Sequence, residues 1–128
     1  MACALINRCR KDGLEAFITT PTPVVTSMNG VEVTGQRPME FVTEADVVLI
    51  GSGVTVLDTP FHSEGNIATA GGCLASQYLA TWVITRTLGE DAARDVIDYV
   101  APVGENQETV ERAMRAVHTG HKGEVALR

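Results

Sequence analysis

The sequence is poor in aromatic rings: three Phe, two Tyr and one Trp among 128 residues, or 5%. Proteins that hold single-stranded nucleic acid stack bases on aromatic side chains, and so few rings do not make such a platform. Positive charge is also scarce, with 10 Lys and Arg against 16 Asp and Glu and a net charge of −6. Binding to a phosphate backbone depends on cations that neutralise phosphates, so this composition excludes nucleic acid as a partner. No apolar run approaches the ~20 residues of a membrane-spanning helix. The opening Met1-Ala2-Cys3-Ala4-Leu5-Ile6 meets Asn7-Arg8-Cys9-Arg10 and is too short, and too soon charged, for a signal peptide.

Cysteine is sparse as well. Cys3, Cys9 and Cys73 are odd in number and widely spaced, with no CxxC pair and no His/Cys cluster at zinc spacing. The pattern implies neither a metal nor a cofactor, and it fits reduced thiols in the cytoplasm. What is present is ordinary: 45% hydrophobic and 20% charged residues, values that argue against disorder. The length is that of one domain.

Along the chain, residues 2–11 read as a short helix closed by Asp12-Gly13. Leu14 to Thr19 is a candidate strand, stopped by Pro21-Thr22-Pro23. Val24-Val25-Thr26 and Val31-Glu32-Val33-Thr34 flank Met28-Asn29-Gly30, and Asn-Gly between two β-rich runs is a strong hairpin signal. Val47-Val48-Leu49-Ile50 is apolar without alternation, the pattern of a central parallel strand buried on both faces, and it ends in Gly51-Ser52-Gly53. Val54–Leu57 is a further strand candidate, followed by a turn region through Pro60 and Glu64-Gly65-Asn66, and Ile67-Ala68-Thr69 is a short strand. From Cys73 the period changes: Leu74, Tyr78, Leu79, Trp82, Val83 and Leu88 mark a helix that ends at Gly89. Asp91 to Tyr99 and Glu105 to His118 are two more helices. The pattern describes one α/β domain over residues 1–118 with a loose tail at 119–128.

The local feature richest in chemistry is Thr69-Ala70-Gly71-Gly72-Cys73, a strand that turns through two glycines into a helix. A thiol at a helix N-terminus feels the positive end of the dipole, which favours thiolate. Cys73 is thus a candidate nucleophile or ligand contact on one reading, and a small cysteine packed under the first helical turn on the other. The only nearby base in sequence is His62. Gly51-Ser52-Gly53 is not a GxGxxG phosphate loop; it suits a turn at the carboxyl edge of a parallel sheet, where α/β proteins hold ligands. His118 and His121 sit in the tail and are read as tail residues in preference to a metal pair. Glu90-Asp91 with Arg94, and Glu108 with Arg112, read as solvated helix surface with pairing at four-residue spacing.

Several of these segments together resemble the ThiJ/PfpI family of the class I glutamine-amidotransferase-like superfamily, which includes isonitrile hydratases. Val47–Gly53 resembles the strand and glycine turn that precede the family's nucleophile segment. Glu64-Gly65-Asn66-Ile67-Ala68-Thr69-Ala70-Gly71-Gly72-Cys73-Leu74-Ala75-Ser76 is similar to its strand, double-glycine turn and following helix. Leu88–Ala93 and Tyr99–Pro102 continue the match, and Val24–Val31 resembles its short hairpin. The resemblance implies a three-layer αβα sandwich around a mostly parallel, doubly wound, flavodoxin-like sheet, shortened relative to the family. It also implies kinship with cysteine-dependent hydratases, hydrolases and lyases of small molecules. By the same resemblance Gly51, Ser52, Gly53, Thr69, Gly71 and Gly72 line a small-molecule pocket.

Two family elements have no counterpart here. One is the first strand with its acidic residue; the other is the nucleophile-bearing strand, turn and helix, whose place falls between Gly53 and Val54. Gly53 runs directly into Val54, so Cys73 is the one remaining candidate nucleophile, and it does not align with the family's own. Three functions stay open: a surviving cysteine enzyme, a non-catalytic ligand-binding or dimerisation domain, and a shortened gene product without independent function. A doubly buried strand in a shortened sheet needs cover, which favours a homo-oligomer.

Overall fold

The computed structural model describes residues 1–27, 30–50, 58–72 and 74–122. In chain order the elements are α1 (Ala2–Ile6), β1 (Val24–Thr26), β2 (Glu32–Thr34), β3 (Phe61–Glu64), β4 (Ile67–Ala70), α2 (Ser76–Leu88), α3 (Glu90–Val100), α4 (Asn106–Gly120) and β5 (His121–Lys122). They fall into two compact units, one made of Met1–Glu15 and Ser52–Arg128, the other of Ala16–Gly51.

The larger unit is built around α2. Its sequence carries no Gly or Pro, and Tyr78, Ala80, Thr81, Trp82, Val83 and Ile84 are all buried. A helix that is apolar over most of its circumference must be covered on most sides. Accordingly α2 packs against α1, α3, α4 and β4. The covering helices are amphipathic at three- and four-residue steps: α3 buries Ala93, Val96 and Ile97, and α4 buries Val110, Ala113, Met114 and Val117. Ile84 and Ile97 are wholly inaccessible, and each such side chain contributes about 1.5–3 kcal/mol of hydrophobic stabilisation. Leu5, Ile6 and Cys9 close the core from α1 and the 3-10 turn that continues it through Asp12. Burial pushes the Cys9 thiol pKa up, with Asp12 adding to the effect. The chain leaves α2 where the Gly89 N–H bonds the carbonyls of Ile84 and Thr85. It leaves α3 at Ala101, held extended ahead of Pro102.

The smaller unit is an antiparallel hairpin, β1 against β2 with Val25 opposite Val33. Phe17 and Phe41 meet edge to face at 5.5 Å, and the Arg37 guanidinium lies 4.5 Å from the Phe17 ring centre.

The helix and hairpin expectations correspond to α1–α4 and to the β1–β2 pairing; Met28 and Asn29 lie outside the described residues. The expected three-layer αβα sandwich does not form among the described residues. The strands make two small antiparallel hairpins, β1–β2 and β3–β4, and only the two-residue β5 joins in parallel, beside β3. The physical reason lies in the missing neighbours of the expected central strand. Val47–Ile50 has no ladder partner among the described residues, and Val48, Leu49 and Ile50 are 44%, 36% and 80% exposed. Leu14–Thr19, also expected as a strand, contributes a single isolated bridge, Thr19 to Arg37. β1 and β2 pair with each other as a two-stranded sheet, and among the described residues no further strand joins them. Conversely, Phe61–Glu64, read in the sequence as turn, is a strand whose residues alternate inward and outward. Of the tail expected at 119–128, Thr119 and Gly120 end α4, His121 and Lys122 form β5, and residues 123–128 lie outside the described residues. No helix of the described residues is long and apolar enough to cross a membrane.

Candidate functional site

The sequence draws attention to the turn between β4 and α2, and strand pairing decides what surrounds it. In the β3–β4 register Phe61 faces Ala70, His62 faces Thr69, Ser63 faces Ala68 and Glu64 faces Ile67. Successive side chains of a strand point to opposite faces. Phe61 and Ser63, both buried, therefore share the inner face with Ala68 and Ala70, while His62, Glu64, Ile67 and Thr69 share the outer one. Thr69, an expected ligand contact, thus lies directly across from His62, the base that sequence spacing alone could not place. Directly opposed residues in an antiparallel pair have Cβ atoms about 4.5–5.5 Å apart, close enough for both to touch one small molecule.

The two glycines have different reasons to be there. The Gly71 N–H extends the ladder with a 3.3 Å bond to the Pro60 carbonyl. A Cβ on Gly71 would come no nearer than 3.9 Å to the Thr59 carbonyl, an ordinary contact, so space does not require glycine there. Gly72 has φ +89°, a conformation that L side chains rarely adopt. Its carbonyl accepts from the Ala75 N–H at 3.1 Å, which closes the turn. The helix proper starts at Ser76, three positions beyond Cys73, with Ala75 as a cap that supplies no side-chain acceptor. Cys73, Gly51, Ser52 and Gly53 lie outside the described residues. The structure thus brings Thr69, Gly71 and Gly72 together with His62.

Two arrangements had no signal in the sequence. The first is Ser63 Oγ, 2.9 Å from His121 Nδ1, a contact across 58 positions that joins β5 to β3. A serine hydroxyl against an imidazole is half of a nucleophile–base pair. Ser63 is wholly inaccessible, so no substrate reaches its oxygen, and the contact serves as a tie between strands. The second is Arg86 on α2. Its guanidinium donates to the Gly65 carbonyl at 2.6 Å and to Asn66 Oδ1 at 3.1 Å, and lies 4.9 Å from the Trp82 ring centre. It fixes the tip of the β3–β4 hairpin on the central helix, and so positions the face that carries His62 and Thr69.

The charged surface is wired differently from the sequence expectation. Glu108 and Arg112 do pair along α4 at 2.8 Å. Arg94, however, reaches across to Glu111 at 2.7 Å, and Glu90 meets His118 Nε2 at 2.9 Å. These contacts tie α3 to α4 on the solvent side, where water and salt screen them. Arg94 holds the Glu111 carboxyl below its ordinary range through a hydrogen bond and its charge. His118 and His121 serve separate partners, Glu90 and Ser63. Among the described residues no three His, Cys, Asp or Glu side chains converge as metal ligands. No protein-family model and no curated protein matches the chain.

Proposed function

We propose that the chain is a ThiJ/PfpI-like polypeptide, related to the cysteine-dependent hydratases, hydrolases and lyases of small molecules, that has lost catalysis. In this reading it works in the cytoplasm as a self-associating domain that holds a small-molecule ligand beside its glycine turn. The observation that carries it is the state of Val47–Ile50: three consecutive large aliphatic side chains stand exposed where the sequence calls for a buried strand. Pairing with the same segment of a second copy would cover them and satisfy their backbone groups. The loss of catalysis rests on the sequence, in which Gly53 meets Val54 with no nucleophile-bearing turn between them. Thr69, Gly71 and Gly72 remain as the ligand side of the site, with His62 opposite.

Light scattering over a range of concentration tests association: the proposal expects a dimer, and a monodisperse monomer throughout would sink it. Turnover of small isonitriles and dicarbonyls tests catalysis: rates equal to background, unchanged by Cys73→Ser, are expected. A second reading, a surviving cysteine enzyme, is favoured by one observation, the placement of His62 across from Thr69. It requires an activated thiol. Alkylation of Cys73 by iodoacetamide across pH separates the two, because a thiol that titrates near the free value of ~8.5 is not an activated nucleophile.

A further inference from the structure

β3 is the middle strand of the sheet ordered β4-β3-β5, and its two sides are held very differently. The pairing with β4 runs the length of both strands, whereas β5 is held only where Ser63 meets His121 and Glu64 meets Lys122. Side chains at matched positions of neighbouring strands stand on the same face. The His121 imidazole accordingly comes up beside Ser63, with Nδ1 2.9 Å from Ser63 Oγ. Gly120, the residue before it, ends α4 in close contact with the Phe61 backbone and ring.

Ser63 is wholly inaccessible, and among the described residues His121 is the only polar partner of its hydroxyl. A hydroxyl shut away from water must give its proton to an acceptor in the fold or forfeit the hydrogen bond it had in water. The acceptor on offer is Nδ1, so the geometry calls for a neutral imidazole with Nδ1 bare and the proton on Nε2. Protonation turns Nδ1 from acceptor into donor. The Ser63 proton then loses its acceptor, while His121, itself half-buried, gains by turning its charged ring to water. Among the described residues no carboxylate lies within ion-pair distance to hold the charged ring in place. On β3, His62 and Glu64 point to the opposite face, β4 carries no titratable group, and Lys122, the other residue of β5, is itself a cation. The helices packed on β3 and β4 are α4 and α2. The carboxylates of α4 are already engaged, Glu108 by Arg112 and Glu111 by Arg94, and its His118 meets Glu90. Arg115 on α4 and Arg86 on α2 are further cations.

We propose that β5 is a pH-gated strap: neutral His121 fastens it to β3 through Ser63, and protonation of His121 releases it and bares that edge of β3. An uncovered strand edge offers its N–H and C=O groups for pairing with another strand. The strap works within the larger unit and does not rest on the function proposed above.

The test is NMR of the intact, nitrogen-labelled chain between about pH 8 and about pH 5.5, an interval in which imidazoles change charge. Imidazole nitrogen shifts report the tautomer and protonation of His121, and backbone order parameters at His121 and Lys122 report whether β5 is fastened. The proposal expects the Nε2–H tautomer at about pH 8. As the ring protonates, order parameters in β5 should fall from roughly 0.85 to below about 0.6, with those of β3 and β4 unchanged. His121→Gln, whose side-chain carbonyl accepts from Ser63 without titrating, should keep β5 ordered throughout. His118→Gln should leave the release as it is in the parent. Ser63→Ala should uncouple the order of β5 from pH; if that variant does not fold, the tautomer in the parent and the behaviour of His121→Gln carry the decision. An Nδ1–H tautomer, a β5 that stays ordered once His121 is protonated, or a release that persists in His121→Gln overturns the proposal.

Discussion

Gly120 is the last residue of α4, and its replacement by alanine sets two effects against each other. Helix propensity alone favours the change, because alanine exceeds glycine by about 0.8–1.0 kcal/mol inside a helix. Packing opposes it. A Cβ at Gly120 would fall onto the Phe61 carbonyl oxygen and stand 2.8 Å from the Phe61 ring carbon Cδ1 and 2.9 Å from the carbonyl carbon. These obstacles are backbone and a buried ring, not the free end of a side chain, and Phe61 is itself only 2% exposed. Relief requires β3 to move away from α4, which disturbs the β3–β5 pairing and the Ser63–His121 contact beside it. Overpacking of this kind costs about 1–3 kcal/mol, and because the obstacle is backbone and a buried ring the upper half of that range applies, so Gly120→Ala should be net destabilising by up to about 2 kcal/mol after the propensity gain. Urea unfolding followed by circular dichroism measures this directly. Trp82, the only tryptophan and 6.5 Å from the Phe61 ring, gives a second signal by fluorescence. A variant as stable as the parent, or more stable, would refute the close approach of α4 to β3.

Other consequences are as direct. Among the described residues Thr85 Oγ1 is buried with no hydrogen-bond partner, while Thr81 and Thr87 on the same helix donate to the Gln77 and Val83 carbonyls at 2.8 Å. Thr85→Val keeps the shape and removes the orphan, so the urea midpoint should rise by the equivalent of about 1 kcal/mol; a fall would show that the hydroxyl is in fact satisfied. Arg86→Ala removes the hydrogen bonds to the Gly65 carbonyl and Asn66 Oδ1 and the stack on Trp82. It should cost about 1–2 kcal/mol and speed amide exchange at the β3–β4 tip, and unchanged exchange there would rule out the clasp. The pairing of Glu111 with Arg94 gives a pH dependence of known sign. Its pKa is lower in the folded chain, so its contribution is present above the ordinary value of 4.5 and is lost as pH falls through the lowered folded value. The stability gap between parent and Glu111→Gln should therefore close in acid, and a gap that persists unchanged to about pH 3 contradicts the pairing.

The helices were legible because each carries its own periodicity. The apolar steps of α2, the stripe of α4 and the stops at Gly89 and Pro102 need nothing beyond neighbouring residues. The β1–β2 hairpin was legible for the same reason, from Asn-Gly between two valine-rich runs. The sheet was not, because a parallel strand is defined by partners far along the chain. Val47–Ile50 has the composition of a buried strand and, among the described residues, no ladder partner. Phe61–Glu64 reads as turn because His62, Ser63 and Glu64 are polar, yet pairing with Ile67–Ala70 makes them a strand with Ser63 inside. In the candidate site, Gly72 and Thr69 could be picked from the local pattern. His62 gained a place only through the hairpin register. Ser63–His121 and the Arg86 clasp join residues whose spacing carries no signal of their meeting.

We propose above that Val47–Ile50 is the surface through which two copies meet. Sedimentation equilibrium of the parent chain beside Ile50→Asp tests it most directly, since Ile50 is the most exposed residue of that run and an aspartate there puts an unpaired charge into any strand pairing. A concentration-dependent dimer is expected for the parent and a monomer for Ile50→Asp, with the helical circular dichroism of both unchanged. A parent that stays monomeric, or an Ile50→Asp variant that dimerises as strongly as the parent, would contradict it.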